Sequence, residues 1–162
     1  MGMAVKTNGA APEFTLPKDG GGTVSLDELR GKIAVLFFYP KDDTTGCTLE
    51  AKDFSDRAAA FAELGAAVAG ISPDSVKSHD KFKMKHQLAV TLLSDETKHM
   101  LEAHGVWVEK SMYGRKYMGV ERTTLLLDPS GKIAQVWEKV KVPGHAEEVL
   151  DAARLLKAKL AG

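Results

Sequence analysis

The chain has 162 residues, of which 44% are apolar and 27% are charged, as is typical of one globular domain, here spanning residues 1–162. Its 22 basic residues balance 22 acidic ones, so no net charge favours binding to nucleic acid or to an anionic membrane. No apolar stretch approaches the roughly 20 residues that a membrane-spanning helix needs. We therefore expect neither nucleic acid nor a membrane among the partners.

The first elements predicted along the chain are two strands and a short helix. Residues 11–17 are bounded by prolines and predict a short edge strand. Ser25, followed three positions later by Glu28, forms a capping box and predicts a short helix that ends at Gly31. The uninterrupted apolar run at residues 33–39 predicts a central strand that is covered on both faces.

A long helix is predicted from Cys47 to about Leu64. Apolar residues recur in it at alternating steps of four and three, which places Cys47 on the core-facing side of the first turn. The members of this stripe are Cys47, Ala51, Phe54, Ala58 and Phe61. A buried strand over residues 66–71 and a polar helix that ends near His86 follow.

The second half of the chain predicts a short strand over residues 90–93 and a short helix over residues 96–104. Residues 111–119 show no clear period and are predicted to form a loop. Asp128-Pro129-Ser130-Gly131 has proline second and glycine fourth, as in a type I turn, so residues 123–127 and 132–137 should form a hairpin.

The last helix is predicted to start near His145 and to bury one stripe of apolar residues, namely Val149, Ala153, Leu156 and Leu160. Elements that alternate along the chain indicate an α/β sandwich. The strand–strand–helix ending favours a thioredoxin-like fold, in which helices flank a central mixed β-sheet.

Cys47 is the single cysteine, and it follows the predicted central strand by way of Pro40 and a turn. Backbone N–H groups at the start of a helix have no intrahelical acceptor and can stabilise a thiolate, which is the nucleophilic form of the side chain. This position therefore predicts a reactive sulfur. Without that context, a lone cysteine would be interpreted as a small, inert core residue.

The spacing Pro40-x-x-x-Thr44-x-x-Cys47 resembles the signature of the peroxiredoxins, in the AhpC/TSA family. The longer segment at residues 38–50 resembles the subgroup called bacterioferritin comigratory protein or peroxiredoxin Q. The likeness covers most of the chain and includes residues 11–14, 93–96 and 119–124. It implies a cofactor-free thiol peroxidase that reduces hydrogen peroxide and organic hydroperoxides through a Cys47 sulfenic acid, in antioxidant defence and redox homeostasis.

The resemblance also implies roles for other residues. Arg122 would supply a guanidinium that favours the thiolate and polarises the peroxide, and Pro40 would cover the sulfur. Thr44 can place its hydroxyl on the substrate, and Glu50, three residues after Cys47, could orient Arg122. The alternatives are a surface ion pair for Arg122, a helix cap for Thr44, a strand end for Pro40 and an exposed helix residue for Glu50.

The chain departs from the subgroup in having no second cysteine. Many members have one five residues after the first, where this chain has Lys52, and others have it in the following helix, where residues 77–86 contain none. The expected reductant is therefore an external thiol, namely thioredoxin, glutaredoxin or glutathione. An altered chain whose second cysteine was replaced is the alternative. The subgroup favours a monomer, and a dimer stays open.

The compartment is predicted from the N-terminus and the cysteine content. Residues 1–6 have no basic segment followed by an apolar one, so we expect no secretory leader. A chain with one cysteine cannot form an internal disulfide, which fits a reducing compartment. We expect a cytoplasmic protein.

Two other functions are alternatives to a peroxidase. A thiol–disulfide oxidoreductase would need the Cys-x-x-Cys pair that this chain lacks. A non-catalytic, holdase-type binding protein on the same scaffold stays open, because fold does not fix function. No metal is predicted, since His99 and His104 do not share a helix face and His79, His86 and His145 are isolated in the sequence.

Overall fold

The computed structural model describes residues 6–162. The expected absence of a secretory leader rests mainly on residues 1–5, which lie outside the described residues. The elements in chain order are β1 Thr15–Pro17, β2 Thr23–Ser25, α1 Leu26–Leu29, β3 Ala34–Phe38, α2 Thr45–Asp56, α3 Ala58–Glu63, β4 Ala67–Ser72, α4 Val76–His86, β5 Thr91–Ser94, α5 His99–Ala103, β6 Trp107–Met112, β7 Arg115–Val120, β8 Thr123–Leu127, β9 Ile133–Trp137 and α6 His145–Ala161. Among the described helices, none is long and apolar enough to cross a membrane.

Five strands form the central sheet in the order β5-β4-β3-β8-β9. Strands β3, β4 and β5 run parallel, whereas β8 is antiparallel to both β3 and β9. The sheet is therefore mixed, and the predicted thioredoxin-like fold with flanking helices is confirmed. The predicted hairpin around residues 128–131 is present as β8 and β9.

Strand β3 lies at the middle of the sheet and is buried along its whole length. Leu36 and Phe38 pack in one apolar cluster with α1 and α5, while Val35 and Phe37 pack in a second cluster with α2, α4 and α6. Alternate side chains of a strand point to opposite faces, so an unbroken apolar run is what a strand covered on both faces requires. Cys47 belongs to the second cluster.

The predicted helix from Cys47 to Leu64 is wrong in its length, because the chain breaks at Arg57 into α2 and α3. The backbone N–H of Arg57 bonds to the carbonyl of Phe54, while its guanidinium donates to the carbonyl of Asp53 at 3.0 Å. The side chain thus occupies the acceptor that a continuing α-helix would use for its backbone. Ala58, beside the break, is only half-buried, whereas the other four members of the predicted stripe are buried.

The predicted loop at residues 111–119 is also wrong, since β6 and β7 form a two-stranded antiparallel hairpin there. Tyr113 and Gly114 form its turn with φ values of 52° and 79°, as a two-residue type I′ turn requires. Most side chains of the hairpin are exposed, and Tyr113 is 99% exposed. The sequence shows no period because neither face of this hairpin is buried along its length.

Three ends of elements differ from their predictions. The edge strand predicted over residues 11–17 is reduced to Thr15–Pro17, which pairs with β2 outside the central sheet. Helix α5 begins at His99 because Lys98 has a φ of 65°, outside the helical region. Leu160, predicted to be buried, is 51% exposed, since it lies in the last turn of α6.

Candidate active site

Cys47 is the third residue of α2, and its side chain is only 2% exposed. Strand β3 and the loop at residues 40–44 bring the chain to this helix, and Thr44 is the residue at its N-cap. The N–H groups of the first turn have no intrahelical acceptors and carry the positive end of the helix dipole. The predicted placement of the sulfur at the first turn of a helix is therefore confirmed.

Arg122, between β7 and β8, joins Cys47 to Glu50. Its Nη2 donates to the Cys47 Sγ at 3.4 Å, and its Nη1 donates to Glu50 Oε1 at 2.6 Å. Burial opposes its charge, but Glu50 and Cys47 outweigh that cost and raise the pKa of Arg122. A Cβ at Gly46 would lie 3.3 Å from Nη2, so a glycine there lets the guanidinium approach the helix start closely.

Glu50 is almost completely enclosed, with 1% of its surface exposed, so its interpretation as an exposed helix residue is wrong. Burial raises the pKa of Glu50 to about 7, although the Arg122 charge and hydrogen bond act in the opposite direction. Its Oε2 is buried and has no hydrogen-bond partner among the described residues. Among the described residues, the carboxyl group of Glu50 hydrogen-bonds to Arg122 alone, so it holds one end of the guanidinium fork.

Thr44 and Pro40 lie in the loop before the helix. The Thr44 hydroxyl donates to the Lys41 carbonyl at 2.8 Å and makes no cap bond to the helix, although Thr44 is the N-cap residue by position. Pro40 follows the last sheet bond, from Tyr39 N–H to Ile71 O at 3.0 Å, and lacks the N–H that would extend it. In the described residues, neither Thr44 nor Pro40 hydrogen-bonds to Cys47.

Sequence reasoning missed a buried polar cluster beside this loop, formed by Asp42, Asp74 and His79. Their donor atoms lie within 4.8 Å of one another, an arrangement that could hold a cation. However, both ring nitrogens of His79 already face hydrogen-bond acceptors, which are Asp42 Oδ2 and the Leu93 carbonyl. The available signal was the spacing of His79 three residues before the buried Phe82, which places both on one face of α4.

A buried cysteine at a helix start, with a guanidinium on its sulfur and a thioredoxin-like fold around it, defines a protein built for thiol chemistry. The AhpC/TSA family model matches residues 7–136, and the chain belongs to the AhpC/TSA family.

Named relatives place the chain more finely within this family. Peroxiredoxin Bcp of Bacillus subtilis is 45% identical over 157 residues, which cover 97% of this chain and 100% of that protein. Peroxiredoxin Bcp of Xanthomonas campestris is 45% identical over 146 residues, which cover 89% of this chain and 91% of that protein. The resemblance to the peroxiredoxin Q subgroup is thus confirmed.

Solved structures agree with these relatives. The bacterioferritin comigratory protein of Xanthomonas campestris, studied for alkyl peroxide reduction in trapped intermediate and ligand complexes, is 43% identical with a TM-score of 0.85, covering 89% of this chain and 92% of that one. A cysteine-to-serine mutant of Xylella fastidiosa PrxQ is 36% identical with a TM-score of 0.88, covering 93% and 96%.

The enclosed carboxyl of Glu50 predicts a specific pH dependence of stability. An unfolded Glu50 loses its proton near its ordinary value of 4.5, whereas the folded chain keeps that proton up to about 7. The stability that this proton gives is complete below pH 4.5 and is lost as pH rises through the folded pKa. Relative to Glu50→Gln, the wild type should lose up to about 1.4 kcal/mol of unfolding free energy per pH unit in that window.

Urea unfolding of both proteins across a pH series measures this difference. Glu63→Gln, at an exposed carboxylate, is the matched control and should follow the wild type at every pH. A constant difference between wild type and Glu50→Gln from acid to neutral pH would contradict the assignment.

The geometry of α2 predicts the behaviour of Lys52→Cys, which places a second cysteine five residues after Cys47. At about 100° per residue, position 52 points roughly 140° away from position 47 around the helix. Cys47 is buried and Lys52 is exposed, so the two sulfurs can meet only when the first turns of α2 unwind.

Oxidation of this variant should therefore reduce the helical signal in circular dichroism. It should also reduce the protection of backbone amides from hydrogen exchange at the start of α2. A disulfide identified by mass in a protein whose α2 keeps full exchange protection would show that the prediction is wrong.

Proposed function

We propose that this protein is a one-cysteine peroxidase in which Cys47 reduces hydrogen peroxide and organic hydroperoxides and an external thiol restores it. The observation that carries this proposal is the guanidinium fork of Arg122, which contacts the Cys47 sulfur at 3.4 Å while Glu50 holds its other nitrogen at 2.6 Å. A fixed cation beside the sulfur stabilises the thiolate and lies where negative charge moves during attack on a peroxide.

The chemical step transfers one hydroxyl group from the peroxide to the Cys47 sulfur, and the solvent supplies the proton that completes it. The sulfur attacks the terminal hydroxyl oxygen of the peroxide, so that an S–O bond forms as the O–O bond breaks. The sulfur is oxidised by two electrons to a sulfenic acid, and the peroxide is reduced by the same pair. The other oxygen departs as hydroxide or alkoxide and takes a proton to become water or an alcohol.

Two loop residues support this step in the proposal. The Thr44 hydroxyl donates its hydrogen bond to the Lys41 carbonyl, so its oxygen lone pairs are free to accept a hydrogen bond from the peroxide O–H. Pro40 follows the central strand and is half-buried, so an apolar ring that lacks an N–H lies at the start of the loop. We assign the catalytic contacts to Cys47, Thr44 and Arg122, the cover of the sulfur to Pro40, and the orientation of Arg122 to Glu50.

The sulfenic acid must be reduced from outside the chain, because the sequence has one cysteine. Structures of Xanthomonas campestris Peroxiredoxin Q include cysteine-to-serine mutants at two different positions, so that protein has a second cysteine. Here an external thiol would attack the sulfenic sulfur, release water and form a mixed disulfide, which a second thiol then reduces. Thioredoxin, glutaredoxin and glutathione are the candidate reductants.

Other properties belong to the same proposal. One domain over residues 1–162 acts alone as a monomer in the cytoplasm, in antioxidant defence. The reducing environment of that compartment supplies the thiol that the mechanism needs. Turnover assays that couple peroxide loss to thioredoxin or to glutathione and glutaredoxin identify which reductant is used.

Direct reaction with peroxide tests the assignment of Cys47. Stoichiometric hydrogen peroxide should convert this cysteine to a sulfenic acid that dimedone captures at a single site, much faster than it oxidises a free model thiol, because the helix start and Arg122 stabilise the charge that moves. Mass spectrometry follows the label, and Cys47→Ser should lose both label and turnover. Labelling at the rate of a free thiol would instead favour a holdase-type scaffold.

Arg122→Lys tests the guanidinium fork, since a lysine keeps the charge but cannot reach Glu50 and Cys47 with two fixed nitrogens. The second-order rate of peroxide reduction should fall by about 10² to 10³, the range found when one fixed transition-state donor is removed. Stopped-flow kinetics measure this rate. Arg154→Lys, at an exposed pair with Asp151, is the control and should keep the wild-type rate.

A further inference from the structure

His79 lies on α4 with none of its side chain exposed, in contact with the loop that leads to Cys47. Its Nδ1 lies 2.7 Å from Asp42 Oδ2, and its Nε2 lies 2.9 Å from the carbonyl oxygen of Leu93 on β5. A carbonyl can only accept a hydrogen bond, so Nε2 must carry a proton. A carboxylate likewise accepts, so the bond to Asp42 needs a second proton, on Nδ1.

This geometry makes His79 an imidazolium paired with a carboxylate inside the protein. Burial opposes the charge, but the hydrogen bond and charge of Asp42 outweigh it, and with the Leu93 carbonyl and Asp74 they raise the pKa of His79 above its ordinary value. A neutral ring would turn a nitrogen lone pair toward Asp42 at 2.7 Å.

Asp42 is the residue through which several elements hydrogen-bond to the loop at residues 40–44. Its Oδ1 accepts from the Tyr39 hydroxyl at 2.6 Å, and its Oδ2 accepts from the Ser78 hydroxyl at 2.7 Å as well as from His79. Its backbone N–H donates to Asp74 Oδ2 at 2.8 Å. The backbone at position 42 is therefore fixed to α4 and to the chain after β4.

The neighbouring peptide group carries this restraint to the site. Lys41 is directly before Asp42, and its carbonyl oxygen receives the Thr44 hydroxyl at 2.8 Å. The position of that carbonyl decides where the Thr44 hydroxyl proton points, and so where its lone pairs are presented. Fixing Asp42 therefore fixes the orientation of Thr44.

We propose that His79 is a positioning residue for peroxide reduction: as an imidazolium it holds Asp42 and, through the Lys41 carbonyl, orients the Thr44 hydroxyl toward the peroxide. This inference depends on the proposed peroxidase function. His79 touches neither the sulfur nor the substrate and acts only through the loop.

The pH dependence follows from the groups that face the ring. These are Asp42 from the loop, Asp74 from the chain after β4, the Tyr39 hydroxyl from the end of β3 and the Leu93 carbonyl from β5. The Ser78 hydroxyl of α4 itself donates to Asp42. The Tyr39 hydroxyl keeps its proton, because burial and Asp42 raise its pKa well above the ordinary value. The hold of the His79 imidazolium on Asp42 is therefore present below its raised pKa and is lost as pH rises through that pKa.

A double-mutant cycle between His79→Gln and Thr44→Val separates positioning from general stability. His79→Gln alone should lower the second-order rate with hydrogen peroxide by about tenfold to a hundredfold, since small misplacements of a reacting group have effects of this size. In the Thr44→Val background the same change should have little further effect, because the group that it positions is absent. His99→Gln, at an exposed histidine, is the matched control and should react like the wild type.

The alkaline side of the rate profile gives a second measurement. The wild-type rate should fall as His79 loses its proton, and that fall should be absent from His79→Gln. Nitrogen NMR shifts of the His79 ring in the wild type, where no variant has to fold, should show two protonated nitrogens on the acid side of that fall.

Several outcomes would overturn the inference. They are additive effects of His79→Gln and Thr44→Val, a wild-type rate for His79→Gln, or a ring with one protonated nitrogen throughout. A wild type that fails to react with peroxide would refute the proposed function instead, and the NMR titration would still report on the His79 charge. The two failures are therefore distinguishable.

Discussion

The guanidinium of Arg122 is the interaction on which the rest of the site depends. It lies between the buried carboxyl of Glu50 and the one thiol of the chain, and it contacts both. A buried carboxylate without such a partner would be strongly disfavoured, and a thiolate in an apolar cluster would be equally so. One cation therefore serves as the hydrogen-bond donor to both a buried carboxyl and a buried thiol, and the sheet and α2 hold the three groups at fixed separations.

The two faces of β3 have different roles in the fold. One face packs with α1 and α5 and contributes stability, while the other packs with α2, α4 and α6 and also holds the sulfur. The loop after β3 is tied to α4 by Asp42 and by Asp43, whose carboxylate bonds to Lys85 and His86. Helix α4 is thus a support for the site, although it contributes no group to the sulfur.

The sequence predicted the parts of the molecule in which local pattern and burial agree. The apolar run of β3, the capping box at Ser25 and the place of Cys47 at a helix start each follow from short-range rules. The break at Arg57 could not be predicted, because a side chain that bonds to a backbone carbonyl leaves no periodic signal in the sequence. The β6–β7 hairpin could not be predicted either, because neither of its faces is buried along its length and its residues show no apolar period.

Within the site, contacts between distant segments were the unpredictable part. Glu50 looks like an exposed helix residue in the sequence, and only the arrival of Arg122 from 72 positions further on explains its burial. The pairing of His79 with Asp42, across 37 positions, is of the same kind. Local spacing says which face of a helix a residue occupies, but not which charge meets it there.

The membership of Cys47 in the apolar cluster has one further consequence. The sulfur packs with Phe54, Ala51 and their neighbours, and protein interiors have little free volume. Any oxygen atom bonded to this sulfur adds both bulk and polarity to a close-packed region. The packing around Cys47 leaves little room for such an oxygen, so the side chains around the first turn of α2 would have to shift to accommodate a sulfenic acid.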